Sequence, residues 1–373
     1  MSNFNVTRPG QDNGSGDVKA LFLKVFSGEV LRVYQNETIF SRFVRERMIR
    51  NGKTAQFPYI GTTVNGYHTP GSELLGNLIG HTETVIGVDN LMVAHVTIPN
   101  IDEAMQHYDI RGPYAEELGR ALAQAKDKRL ARMLVRAARS IKVIGGGSTP
   151  VTTLAGKSGA ATGTTFTGGS AGYNATVDAD LNNASMGTNA ATLTTALWKA
   201  LTNLDVANCP QGGRTIAVKP AQYNLLVSST SLINKDWASP GAGNITSGVV
   251  SGLGGATIVK SNNIPGFGNT DTNFNDPSGG SEYHAATTGT NAYSGRMTTT
   301  VALVFGREAV GSVNLMDLAT ESEYSVSRQG TLFVAKYASG ANVLRPEQSQ
   351  EITQGAIAGL NAADHTVNYL PSA

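Results

Sequence analysis

The chain has a single cysteine, Cys209, in 373 residues. An intrachain disulfide is therefore excluded, and the composition points to a compartment where disulfides are not used. Long apolar runs are missing as well: nothing approaches the ~18 residues that a membrane-spanning helix needs. The first segment, MSNFNVTRPGQDNGSGD, lacks the apolar core of a signal peptide, so a soluble protein made in the cytoplasm is expected. Net charge is scarce too. Lys and Arg number 29 against 28 Asp and Glu, leaving +1, which excludes the global basic field of tight nucleic-acid or anionic-membrane binders. Charged residues reach only 15%, where about 25% is usual. Low charge suits surfaces that become buried, and self-assembly is the leading expectation.

Signatures of catalysis are equally sparse. Gly168-Gly169-Ser170-Ala171-Gly172 has G-x-S-x-G spacing, but that elbow acts only where a buried strand delivers the serine into a helix start. ATGTTFT precedes it within a low-complexity tract, so it reads as a chance match. Gly156-Lys157-Ser158 resembles the end of a phosphate-binding loop, yet Val151 stands where that motif requires its first glycine. Gly252-Leu253-Gly254-Gly255 lies before a strand rather than after one, the order of a turn and not of a dinucleotide fold. His68, His81, His95 and His107 are a dozen or more residues apart with no thiolate near them, which is not metal-ligand spacing. Asn5, Asn36 and Asn244 open glycosylation sequons that have no meaning without secretion.

What the chain does have is one long helical pattern, Tyr114 to Lys142. Leu118, Leu122, Ala125, Leu130, Leu134, Ala137, Ala138 and Ile141 recur mostly three or four apart, giving one apolar face. Glu116 and Glu117 fall early, Arg136, Arg139 and Lys142 late, each suiting the helix dipole. Such a spine runs roughly 40 Å, so something extended must lie along it. Its basic residues Lys126, Lys128, Arg129, Arg132, Arg136 and Arg139 form either a solvated face or a stripe meeting acidic groups of another subunit or nucleic acid.

Around the spine the chain divides into distinct stretches. After a polar arm, Asp17 can cap a short helix with Leu21, Phe22, Val25 and Phe26 as its apolar stripe, ending near Ser27-Gly28; a neighbouring subunit is the expected tether. KTAQFPYIG and HTETVIGVDNLMVAHVTIP read as the strands of a long two-stranded arm with a Gly- and Pro-punctuated tip. An isolated hairpin is marginal in water, so the tip residues Tyr67, Leu74, Leu75, Leu78 and Ile79 need burial elsewhere. A Ser/Thr/Gly/Ala tract from Gly145 to about Asn189 is expected to decorate a surface. Thr192 to Asn208 is an amphipathic helix, and RTIAVKP, AQYNLLVSS, ATIVKSNNIPG and TTTVALVFG alternate strand and helix as an α/β unit does. Tyr324, Val326, Arg328 and Leu332, Val334, Lys336 mark two strands of a half-exposed sheet, with a mobile tail after Pro346.

Six stretches carry a resemblance: ALFLKVFSGEVL (20–31), GKTAQFP (52–58), HTE at His81, IDEAMQHYDIR (101–111), REAVGSVNLMDLA (307–319) and AKYASGANVLRPE (335–347). They resemble the major capsid proteins of T7-like short-tailed double-stranded-DNA phages, which have the Hong Kong 97-like fold. The resemblance implies an α+β chain with an N-terminal arm (1–52) and an extended two-stranded E-loop (53–98). A peripheral domain with the spine helix (99–145) is completed by about 307–347, an axial α/β domain covers 146–306, and a C-terminal tail 348–373. It implies hexamers and pentamers that tile an icosahedral shell around double-stranded DNA, a scaffolding protein during assembly and a portal at one vertex. Contact with the packaged DNA would be weak and non-specific. No enzymatic activity, cofactor, metal or membrane is implied, and the place of action is the virion capsid, assembled in the host bacterial cytoplasm. Expected subunit-interface residues are Leu21, Phe22, Val25, Phe26, Phe57, Pro58, Tyr59, Tyr67, Leu74 and Leu75, with Lys128, Arg129, Arg132, Arg136 and Arg139 as a basic face of the spine. Rival readings are a tail or surface adhesin for host glycans, suggested by the Gly/Thr/Ser/Asn richness, and a hydrolase using Ser170. The long helix and the absence of β-repeats count against the adhesin.

Overall fold

The computed structural model describes residues 11–12, 29–34, 37–60, 67–73, 81–101, 105–106, 111–139, 141–144, 151–153, 181–228, 243–244, 249–250, 252–266, 293, 297, 299–355 and 367–368. The spine is helix α1 (Arg111–Arg139). It begins before Tyr114 because Pro113 fits a first turn, where a missing N–H costs nothing. Glu116 and Glu117 consequently fall in the second turn. It ends short of Lys142: Ile141–Ile144 is a strand paired antiparallel with Val151–Thr153, in keeping with the β-branched Ile141, Val143 and Ile144.

A five-stranded sheet lies against the C-terminal half of α1. Strand β5 (Thr215–Val218) leads into helix α3 (Pro220–Ser228) and returns through β6 (Gly252–Leu253) to β7 (Ala256–Lys260), parallel to β5. Strands β8 (Thr300–Phe305) and β11 (Ser349–Thr353) complete the order β6-β7-β5-β8-β11. Both faces are covered, which is why β5 and β8 read as continuous apolar runs. Alternation sends Ile216 and Val218 towards helix α2 (Ala190–Val206), with its Leu193, Leu197, Leu201 and Leu204, while Ala217, Leu303 and Phe305 face Leu130 and Leu134 of α1. Asn189 caps α2 by accepting from the N–H groups of Ala191 (2.9 Å) and Thr192 (3.4 Å). The β6–β7 turn carries Gly254 at φ +55° and Gly255 at φ +80°, positive angles that suit the expected turn glycines.

A second sheet covers the N-terminal half of α1. Its order is β1-β9-β10-β4, with β1 (Arg45–Met48), β4 (Met92–Pro99), and a long hairpin of β9 (Val310–Ser325) and β10 (Gly330–Val343). Phe333, Ala335 and Tyr337 of β10 pack with Ile98, Leu118 and Leu122. The arm is a separate ladder of β2 (Thr54–Ile60) and β3 (His81–Gly87), registered from Thr54 opposite Gly87 to Ile60 opposite His81.

Two expectations about boundaries are corrected here. The stretch from His81 to Pro99 is not one arm strand: it breaks at 88–91, and β4 joins β10 in the second sheet. Residues after Pro346 do not leave the fold at once, because Ser349–Thr353 is a buried sheet strand and Ser349 Oγ donates to the Leu134 carbonyl at 3.0 Å. SQEIT contains polar residues at every position but one, so no apolar alternation announces it.

Residues 29–34 are helical, beyond the expected stop at Gly28, and cross α1 at Gly119. A Cβ at Gly119 would lie 2.6 Å from the Val30 carbonyl oxygen. Gly119→Val is expected to push this segment off the spine and destabilise the unassembled subunit by about 1–3 kcal/mol. A lowered urea midpoint with earlier proteolysis near residues 29–34 is the expected readout; an unchanged midpoint would argue against the close crossing.

Candidate assembly surfaces

The arm is anchored at its base and open at its end. Ala55, Phe57 and Ile86 are buried with Val313 and Leu344, and the guanidiniums of Arg45 and Arg47 lie 5.6 and 5.8 Å from the Phe57 ring centroid. Phe57, expected from sequence at a subunit interface, is buried within its own subunit and anchors the arm base. Pro58 is exposed. Further out, Ile60 is 67% and Tyr67 107% exposed: large apolar surface at the end of a ladder that pairs, among the described residues, only with itself. The side chain of Tyr59 lies outside the described residues, as do Leu21, Phe22, Val25, Phe26, Leu74 and Leu75.

The spine arginines are not a face. Arg129, Arg132 and Arg136 are buried inside the subunit, Arg132 completely, and Lys128 is half-buried; the Arg139 side chain lies outside the described residues. The physical reason is that α1 is buried from Arg129 to Ala138, packed by strands of the two sheets together with Phe40 and Val44 of the 37–48 segment and Ile264, Tyr293 and Met297. Arg132 Nε donates to the Tyr293 carbonyl at 2.5 Å. The Tyr293 hydroxyl donates to Asp89 (2.5 Å) and accepts from the Ala341 N–H (3.0 Å). Arg129 lies 5.6 Å from the Tyr293 ring centroid and 3.8 Å from Asp89. Burial and the Asp89 carboxylate push the Tyr293 hydroxyl well above the ordinary tyrosine range. One buried polar knot thus joins α1, the arm base, the β9–β10 hairpin and the segment at 293.

A second knot fixes the strap at 37–48 to the spine. Asp127 accepts from the backbone N–H groups of Ile39 (2.8 Å) and Phe40 (3.2 Å) and from Asn263 Nδ2 (3.4 Å). Lys126 pairs with Glu46 of β1 at 3.0 Å. Burial pushes the Asp127 carboxyl up to about 7, against the lowering pull of these donors and of Lys126. Sequence reasoning missed this residue, although Ala123, Asp127, Leu130 and Leu134 share the apolar spacing. A carboxylate on a buried stripe was the available signal.

Neither knot presents a reactive group to a substrate, and among the described residues no cluster of three or more His, Cys, Asp or Glu could hold a metal. Cys209 is buried with its thiol 3.3 Å from the Glu347 carbonyl. Among the described residues no helix is long and apolar enough to cross a membrane. What remains open is surface: the arm, the exposed edge of the second sheet, and the outer side of α2, where Trp198 and Val206 are exposed.

A family model for Gp10A-like major capsid proteins matches residues 56–353. The chain belongs to that family. This capsid subunit is 32% identical over 354 residues to the major capsid protein of Enterobacteria phage T3, covering 93% of this chain and 95% of that one. It is 30% identical over 344 residues to the Escherichia phage T7 major capsid protein, covering 89% and 91%. Its fold is similar to the capsid structure of cyanophage P-SCSP1u, with TM-score 0.64, 35% identity and coverage of 85% and 88%. The mature capsid of bacteriophage PhiM1 shares the fold at TM-score 0.60 and 15% identity, with coverage of 94% and 92%. The Hong Kong 97-like α+β fold and the T7-like resemblance therefore stand. The protein is a structural subunit of a phage capsid shell, and the adhesin reading gives way.

Proposed function

We propose that this capsid subunit assembles into hexamers and pentamers that close an icosahedral shell around double-stranded DNA, without enzymatic activity. The observation that carries the reading is the two-stranded arm. It is anchored through Phe57 and Ile86, yet exposes Ile60 and Tyr67 at its far end, and apolar surface of that kind is stable when laid on another copy. We divide the subunit into this arm, a peripheral unit of α1 with the β9–β10 hairpin, and an axial unit around the five-stranded sheet. Leu21, Phe22, Val25, Phe26, Leu74 and Leu75 complete the proposed interface. A scaffolding protein guides closure in the host cytoplasm and a portal occupies one vertex. DNA contact is weak and non-specific, because net charge is +1 and three spine arginines are internal.

The test is expression of the full chain with and without a scaffolding partner, followed by negative-stain microscopy. Closed shells or capsomer rings are expected; a monodisperse monomer under all conditions would sink the reading. The fold family's archetype can join an arm lysine to a neighbour's asparagine, but no lysine lies between Lys53 and Lys126. Boiled shells should therefore run as a single band at 39.0 kDa on a denaturing gel. A ladder of linked subunits would contradict a non-covalent shell.

A further inference from the structure

We infer that the stepped edge of the second sheet is a two-fold contact between copies of this chain, an inference that rests on the capsid reading above. Strand β9 has 16 residues and its outer neighbour β1 only four. The parallel pairing of β1 covers Gly311 to Asn314. From Met316 to Ser325 no described strand lies on that side of β9. Among the described residues the edge is therefore a step: a short strand, then an open ledge of bare backbone. Such an edge needs either protection or a partner.

The charges along the step decide between these. Around β1 stand Arg42, Arg45, Arg47, Arg50 and Lys53 with Glu46 as the one acid. Along the ledge stand Asp317, Glu321 and Glu323 with no basic residue. Protective charge of one sign would repel a second copy wherever it docked. Opposite signs at the two ends attract a second copy turned through 180°, because each basic end then meets an acidic ledge. The shapes agree with the charges. In that arrangement β1 of each copy enters the ledge of the other, parallel to its own β9 and antiparallel to its partner's. The two copies share one interlocked middle layer.

The apolar residues fall where such a contact needs them. Met48, at the end of β1, is 66% exposed, and Met316, at the start of the ledge, is 39% exposed. Both lie next to the two-fold axis, so the contact has methionines at its centre and charges at its rim. The local partners do not consume the charges: Asp317 and Glu323 make no ion pair among the described residues. Glu321 is held to Lys336 at 2.6 Å and Arg45 to Glu308 at 3.5 Å, and all four groups stay partly or fully exposed.

The closing experiment uses shells of the full chain carrying Arg47→Cys together with Asp317→Cys, since a two-fold axis beside Met48 and Met316 sets Arg47 of one copy opposite Asp317 of the other. Arg47 pairs with Val313, four residues before Asp317, so the two sites of one copy are about 13 Å apart and cannot link within a subunit. Under mild oxidation a closed, doubly linked dimer is expected on a non-reducing gel. Monomer from intact shells would overturn the inference while leaving the capsid reading in place. Ladders beyond the dimer would overturn the two-fold geometry, since a head-to-tail contact does not close at two. Failure of the unsubstituted chain to form shells at all would instead remove the capsid reading, and the contact with it. Should the double-cysteine chain fail to fold, Glu321→Lys with Glu323→Lys decides the matter. These exposed changes should cut shell yield about tenfold while the unassembled subunit keeps its urea midpoint. A yield within about twofold of the unsubstituted chain, which is less than half a kcal/mol of contact, would overturn the proposal.

Discussion

Arg132→Glu is expected to abolish the folded subunit rather than to weaken a contact between subunits. The Arg132 side chain is completely buried in the middle of α1, and its Nε donates to the Tyr293 carbonyl. A glutamate at this position would place an unpaired carboxylate where no water reaches, next to the carbonyl oxygen that had received a donor. Removing one partner from such a buried charged arrangement costs about 3–5 kcal/mol, a large share of the roughly 5–15 kcal/mol that holds a domain together. Loss of soluble, protease-resistant monomer is the expected result, before any question of shells arises. Arg132→Met, which keeps much of the volume and brings no charge, should be distinctly milder, because an apolar replacement removes the donor to the Tyr293 carbonyl without burying a new charge. A glutamate variant with an unaltered unfolding midpoint and defective shells would put this arginine back on an assembly surface.

The contrast between Arg132 and its apolar neighbours shows what was legible in the sequence. Leu118, Leu122, Leu130 and Leu134 announce the spine by spacing alone, and all four are buried. Periodicity finds one apolar stripe. It does not reveal that the second half of α1 is enclosed from every side, and so it assigned Arg129, Arg132 and Arg136 to a surface. The partners of Arg129 and Arg132, Asp89 and the Tyr293 carbonyl and ring, lie outside regular elements, at a break between two strands and at position 293, where spacing carries no signal. Strand identity suffered similarly. KTAQFPYIG and TTTVALVFG were readable because β-branched and aromatic residues dominate them. The break between β3 and β4 was not, since both halves are equally strand-like and only sheet membership separates them. SQEIT was hidden because four of its five buried residues are polar, Ser349 donating to the Leu134 carbonyl and Glu351 accepting from Thr300, and such a strand carries no hydrophobic signature. The interface residues divide along the same line. Tyr67, an aromatic residue in a Gly/Pro-rich tip, is exposed, whereas Phe57 is enclosed at the arm base, a difference that residue type does not reveal. The stepped edge needed the structure outright, because the mismatch in length between β1 and β9 is a property of pairing.

Asp127 governs how firmly the strap carrying β1 is held to the spine, and its replacement should separate two effects. Asp127→Ala leaves the N–H groups of Ile39 and Phe40 buried without their acceptor; at about 1–3 kcal/mol for each orphaned group, a loss of roughly 2–6 kcal/mol is expected below the pH range in which Asp127 titrates. Asp127→Asn keeps the shape and one acceptor but removes the titration. Burial raises the carboxyl to about 7 from its ordinary 3.8, so the folded state binds the proton more tightly than the unfolded chain does. The sign follows: the contribution of this group is greatest below about pH 4, and it is lost as pH rises through about 7. The groups facing the site are Lys126, paired with Glu46, together with Asn263, Tyr34 and Tyr337; burial raises Tyr34 and Tyr337 above the ordinary tyrosine value, so neither titrates in this window. Urea unfolding of the unassembled subunit at pH 5 and pH 8 gives the comparison. The advantage of the unsubstituted chain over Asp127→Asn should shrink or reverse between the two. An advantage that grows with pH would mean that the donors of Ile39, Phe40 and Asn263 outweigh burial and hold Asp127 ionised, and the strap would then be bolted by a charge rather than by a proton.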